Sequence, residues 1–553
     1  MNAAGATAPG PPAGVDGDRA SPAHLGLDGD RASLVHLRGR LAVVEAAVRA
    51  AVARRRQADP GADDPFRGLY LAEEQVDRLL DAVPAPPAAI PAAATAEVEA
   101  AADRAERAGA ELRLRRLARG FGLDPLDLGL LLVALAPDLD PRFERLYAYL
   151  NDDVTRRRAQ VGLALELCGA SPTDAAARSR LGRGGTLVAG GLVEVEEPER
   201  PFLTRPLRVP DRVASHLLGD DTLDPDLAAI AGAGGAVGRD AAPAAGTVDG
   251  PAAGLARALA AGARLAYVRE RPGGSGTAVA AAGLRAAGLP ALVLDLGRLD
   301  AEAAPAAVAR AAAREARLRG AGLVAGPVEA LTGRGAAAVR AFAELPATVV
   351  LAGRMTWDPA WARDVPAVVE APGATTEERA ACWRAHLDGA AGPPRAGPAG
   401  DPGLATAHFL LSAEQVARAA AAARLQAAVA GTEVTPWHLR AGARAQNAAG
   451  LERLARRIEP AVGWDDLVLP GATAGQLREL AARARHRDRV LADWGLRPGG
   501  GRGRGVTALF AGDSGTGKTM SAEVIAGALG LDLYAVNLAT VVDKYVGETE
   551  KNL

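Results

Sequence analysis

Eight consecutive residues, Gly512-Asp513-Ser514-Gly515-Thr516-Gly517-Lys518-Thr519, carry the clearest chemistry in this chain. Glycines at these spacings let successive backbone N–H groups turn inward and hold phosphate oxygens. The lysine behind them can reach β and γ phosphates, and the threonine hydroxyl can hold Mg²⁺. An apolar run, Val506 to Ala511, precedes the loop, and a helix-like stretch, Met520 to Leu529, follows it. Strand, glycine-rich loop, Lys-Thr and helix together are the context this motif requires. The expected contacts are Gly512 to Met520 for nucleotide, Lys518 as the catalytic cation and Thr519 as the metal ligand.

Lysine usage sharpens the reading. Of 64 basic Lys and Arg residues, the lysines are Lys518, Lys544 and Lys551 alone. A lysine kept where arginine is the default marks a place that needs a compact ammonium.

The elements around the loop follow from the rest of the chain. At 553 residues it is long enough for several domains. Net charge is −2, which gives no global electrostatic case for nucleic acid. Cys168 and Cys382 stand far apart without metal-ligand neighbours and read as core residues of a reducing compartment. The N-terminus has no apolar targeting segment and the chain no charge-free run of membrane length, so a cytoplasmic protein without membrane contact is expected.

The expected division runs as follows. Residues 1–32 form a disordered tail. Residues 33–120 form a helical region with a Pro/Ala linker, and 121–218 hold three short helices and a β-ribbon. A linker covers 219–254, and 255–450 hold an α/β module with a helical lid. Residues 451–553 begin a second such module. Leu187 to Val195 and Pro201 to Val209 are expected to pair as a hairpin. The fold class is therefore α/β with parallel sheets, preceded by a mainly α region.

The segment 121–218 resembles a winged helix. Two readings stay open: DNA binding, helped by Arg156-Arg157-Arg158, or a packing and protein-interaction module whose arginines form a solvated cluster. In the 255–450 module, aligning Gly276 with Gly517 makes Arg271 to Ala278 an echo of the later loop. Arg271 stands at the first glycine, Thr277 at the lysine and Ala278 at the Mg²⁺ ligand. Gly326-Pro327 stands after a strand where metal-orienting acids would be expected. The echo is expected to lack nucleotide chemistry.

Four segments together resemble an AAA+ ATPase: Trp464-Asp465-Asp466-Leu467, the loop Gly512 to Thr519, Asp532-Leu533-Tyr534 to Leu538, and Lys544-Tyr545-Val546-Gly547-Glu548-Thr549-Glu550. The resemblance implies ATP and Mg²⁺ as cofactors, adenine contacts at Asp466 and Val468, and a client-binding pore loop at Lys544, Tyr545, Val546 and Gly547. It further implies a homo-oligomeric ring, hexameric by likeness, that remodels a protein client. A contractile injection system component is one candidate client. The acids, sensor and arginine finger expected of such a core would lie after Leu553, so the sequence reads as an incomplete copy of an ATPase. Alternatives are a nucleotide-gated DNA-binding regulator and a non-catalytic scaffold ordered by ATP.

Overall fold

The computed structural model describes residues 22–58, 90–232, 250–388, 401–407, 409–446, 455–494 and 505–536. Its first element is the helix Pro22–Ala58, so residues 22–32, expected in the tail, are helical. Leu37, Val44, Ala47, Val48 and Ala51 recur at helical spacing and are all buried, which gives the helix one face to pack. The expected helix over Val98 to Gly120 divides into Ala92–Arg107 and Arg113–Phe121.

The helix Pro125–Leu139 lies at the centre of this region. Asp124 caps it by accepting from the Asp127 N–H at 2.9 Å, while the Asp127 carboxylate accepts from the Asp124 N–H at 3.3 Å. Leu130 to Ala136 are buried without a break, which is the pattern of a helix surrounded on all sides. Short helices follow at Arg142–Leu150, Val161–Leu167 and Ala175–Ser179.

The hairpin is shorter than expected. β1 (Glu194–Val195) pairs antiparallel with β2 (Leu207–Arg208), and Thr186–Ala189 is helical. Apolar content alone did not separate strand from helix over so short a run. One hydrophobic core runs from Leu37 to Leu217, across residue 120 where the sequence suggested a division.

Residues 219–232 are no free linker. The turn Pro225–Ala228 places Leu227 and Ile230 in the core of the next module, and Ile230 accepts a hydrogen bond from the Asp295 N–H.

That module is a five-stranded sheet of β3 (Leu265–Glu270), β4 (Ala291–Asp295), β5 (Gly322–Gly326), β6 (Val349–Gly353) and β7 (Ala367–Ala371). The spatial order is β4-β5-β6-β3-β7 and every pairing is parallel. Alternate residues of β3 face opposite cores: Leu265 and Tyr267 on one side, Ala266 and Val268 on the other. The chain leaves β3 towards one edge and adds β7 on the other side. This puts the loop after β3 at the sheet's topological switch point, where open α/β sheets form their ligand crevice. β7 escaped the sequence reading: it is an edge strand of five residues with Val368 and Glu370 facing out.

Among the described residues, three longer helices, Thr376–Asp388, Ala413–Ala430 and Pro436–Ala445, and the single turn Pro402–Ala405 then form a lid. Trp383, Phe409, Leu411 and Leu439 make its core. In the last module, β8 (Arg456–Ile458) pairs antiparallel with β9 (Leu533–Ala535) beside the helices Gly471–Asp488 and Lys518–Leu529. Among the described residues no helix is long and apolar enough to cross a membrane.

Candidate functional site

Gly512 to Thr519 forms an open loop leading into the helix Lys518–Leu529, which starts at the residue expected to touch phosphate. Gly515 and Gly517 hold φ of +84° and +83°, and a Cβ at either would meet nothing within 4 Å. The positive φ excludes ordinary side chains and the empty surroundings leave the backbone accessible. Lys518 Nζ turns back over the loop and donates to the carbonyls of Gly512 at 2.9 Å and Asp513 at 2.7 Å. The Thr516 hydroxyl donates to the Asp513 carbonyl at 2.9 Å, which closes the turn. Thr519, in the helix's first turn, is exposed. The structure thus brings together an exposed loop, an ammonium held over it, a hydroxyl and a helix N-terminus. That donor set fits a polyphosphate with its divalent cation.

The flanking expectations fare differently. Val506 to Ala511 finds no ladder partner among the described residues, and Leu509 is 91 % exposed. The expected strand before the loop is therefore not formed there, because a strand needs a neighbour to take its N–H and C=O groups. The strand expected after Asp532 is present as β9, but its described partner β8 runs antiparallel to it. Asp466 caps its own turn by accepting from the Gly463 N–H at 2.8 Å, and Val468 is 94 % exposed. Lys544, Tyr545, Val546 and Gly547 lie outside the described residues.

Opposite its phosphate end, the same helix is held by arginines. Arg485 donates to the Ala528 carbonyl at 2.9 Å, and Arg444, from the lid of the preceding module, donates to the Gly530 carbonyl at 3.2 Å. Cations suit a helix C-terminus, where carbonyls lack intrahelical partners. Gly530 has φ +67°, which favours glycine, and the Arg440 side chain lies against it. Leu531 packs on the lid core.

The loop of the preceding module has the opposite character. A Cβ on Gly274 would lie 2.8 Å from the carbonyls of Ala371 and Pro372, and one on Gly276 would lie 2.7 Å from Glu270. These glycines admit the chain itself. Arg271 leaves the loop to make a bidentate pair with Glu370. The Glu270 carboxylate accepts from the Gly276 N–H at 2.9 Å, and burial pushes its pKa up. Glu329 accepts from the N–H groups of Arg354 and Met355. The Glu414 carboxylate accepts from Ser275 Oγ at 2.8 Å and Thr277 Oγ1 at 2.9 Å. Sequence reading missed these three glutamates. Only Glu270, at the end of β3 beside the loop, carried a positional signal.

In the N-terminal region the arginine triplet is engaged. Arg156 pairs with Glu197 at 3.1 Å, Arg157 with Glu144 at 3.7 Å and Arg158 with Asp138 at 3.2 Å. The ribbon carries Glu194, Glu196, Glu197 and Glu199.

Comparison with known proteins matches residues 508–553 to the family described as ATPase family associated with various cellular activities (AAA). Residues 508–553 are thus similar to that family. Residues 24–231 match the winged helix domain, variant, consistent with the single core that spans residue 120. The chain is also 37 % identical over 97 residues to the Uncharacterized AAA family ATPase y4kL of Sinorhizobium fredii. That alignment covers 18 % of this chain and 27 % of the relative, so the chain spans about a quarter of the relative's length. The matched segment contains the whole of the loop Gly512 to Thr519.

Proposed function

We propose that this chain is a subunit of an ATP-driven machine that remodels a protein client and works as a homo-oligomeric ring. The observation that carries the nucleotide site is the contrast between two loops. Gly515 and Gly517 keep open space above an accessible backbone, while Gly274 and Gly276 are packed against their own chain.

Lys518 would exchange its contacts with the Gly512 and Asp513 carbonyls for phosphate oxygens, and Thr519 would hold Mg²⁺. The metal would supply neutralisation of developing charge on the phosphates. The residues do the positioning: backbone N–H groups of the loop orient the anion, and the helix N-terminus favours its charge. Asp466 and Val468 would flank the adenine. Tyr545, between Lys544 and Val546, would grip passing client backbone by apolar contact, with Gly547 giving the loop freedom. The preceding α/β module serves as a non-catalytic partner in the ring.

The test is a titration of the chain with a fluorescent ATP analogue in Mg²⁺. Saturable binding that weakens about tenfold or more in Lys518→Ala is expected. Equal binding by that variant would overturn the assignment.

The winged-helix match favours a second reading, a nucleotide-gated DNA-binding regulator. The acid-paired triplet and the glutamates of the ribbon count against it, since a basic footprint is the first requirement of duplex binding.

A further inference from the structure

The collapsed loop after β3 has a second property besides lacking phosphate ligands. Two helix N-termini meet beside it. The helix Gly276–Ala286 starts at Ser275, whose Oγ accepts from the Ala278 N–H at 3.2 Å. The lid helix Ala413–Ala430 starts at Ser412, and Glu414 lies in its first turn. One oxygen of Glu414 accepts from both hydroxyls of the loop, Ser275 and Thr277, and the other oxygen lies 3.4 Å from Ser412 Oγ. The positive ends of two helices therefore share one carboxylate. The loop backbone is closed towards the same side. Gly273 rests against Leu410, and its carbonyl accepts from the Ala374 N–H at the hinge into the lid.

We propose that Ser275, Thr277 and Glu414 form a built-in latch, in which the lid's own carboxylate occupies the place a nucleotide would otherwise take between sheet and lid. The lid of this module is held shut in every nucleotide state. This deepens the reading of the module as non-catalytic and rests on it. It also explains why a loop without phosphate chemistry keeps its Ser-Gly-Thr. The hydroxyls donate to Glu414, and the glycine admits Glu270.

Hydrogen exchange by mass spectrometry on the full chain tests the latch. Glu414→Ala should raise exchange in peptides spanning 272–280 and 412–420 about three- to tenfold, the scale of one or two net hydrogen bonds. Thr277→Ala, which spares the Ser275 cap, should do the same, and combining it with Glu414→Ala should add little, since the two remove one interaction. Unchanged peptides spanning 130–136 confirm that the chain is folded. If Glu414→Ala fails this check, Glu414→Gln replaces it, with a smaller increase expected at the same peptides. Mg-ATP added to the unmodified chain should leave 272–280 unchanged. No loosening on removing Glu414, additive effects of the two substitutions, or protection of 272–280 by Mg-ATP would each overturn the latch. Absence of protection at 512–520 would instead count against the nucleotide site alone.

Discussion

The guanidinium of Arg212 donates two hydrogen bonds of 2.9 Å to Glu315, whose side chain is fully buried. Arg212 belongs to the N-terminal region that matches the winged helix domain and Glu315 to a helix of the parallel-sheet module. Around them Arg314 pairs with Asp224 at 2.7 Å, and Arg317 lies over the Phe121 ring. Polar bonds of fixed direction at a buried contact specify one docking angle, where apolar contact alone would tolerate several.

Removing Arg212 leaves a buried carboxylate with Arg319 as its remaining cation. Arg212→Ala is therefore expected to destabilise the chain by about 3 kcal/mol, the low end for a broken buried pair. Urea unfolding measures it. The double variant with Glu315→Leu should recover part of the loss, because the fully buried carboxylate is then gone.

Lys518→Ala should weaken ATP binding about ten- to a hundredfold, as a charge-assisted contact of about 1.5–3 kcal/mol implies. Lys518→Arg should not restore it, because a planar fork does not replace a point charge over two carbonyls. Equilibrium binding of both variants decides the matter.

Two buried histidines set an acid limit. Burial lowers the pKa of His36 and of His216 from 6.5, against the pull of Glu99 and Asp221 respectively. The unfolded chain then takes up protons that the folded one refuses. Stability from this source is fully present above pH 6.5 and is lost as pH falls through the depressed folded values. Glu99 adds a lower step. Burial would raise its pKa, but hydrogen bonds from Arg115, Arg40 and His36 hold it at about 2, so its contribution fades from pH 4.5 downwards. Melting temperature should fall between pH 7 and 5, and His216→Gln should flatten that slope.

Fluorescence anisotropy with duplex DNA at physiological salt should show no binding by the chain. The arginine triplet is paired with acids and the ribbon beside it is acidic, so among the described residues this region offers no basic footprint to release counterions. Salt-sensitive micromolar binding would revive the regulator reading.

Much of this was legible in sequence because the signals were local. Asp124 announced its helix as a cap, and the β3 to β6 runs were short, apolar and bounded by glycine and proline. The loop Gly512 to Thr519 was readable because its chemistry needs residues adjacent in the chain. What escaped depends on distance. Glu414 meets Ser275 and Thr277 across 139 and 137 positions, and nothing near either end marks the pair. β7 escaped for another reason: it is an edge strand in which exposed Val368 and core-packed Val369 are both apolar, so its alternating burial is not written in residue type. The expected strand Val506 to Ala511 failed because local pattern cannot supply a neighbouring strand.

The helix Lys518–Leu529 has its first residue over the open loop and its last carbonyls in the grip of Arg485 and Arg444. Twelve residues make a rod about 18 Å long at 1.5 Å per residue, with no hinge between its ends. Such a rod transmits rotation as well as push, so the two ends share a phase. One alanine inserted at mid-length would leave every contacting residue present. It would also turn one end against the other by about 100°. The glycine-rich loop and the neighbouring lid would then each keep their contacts and lose their fixed relative orientation.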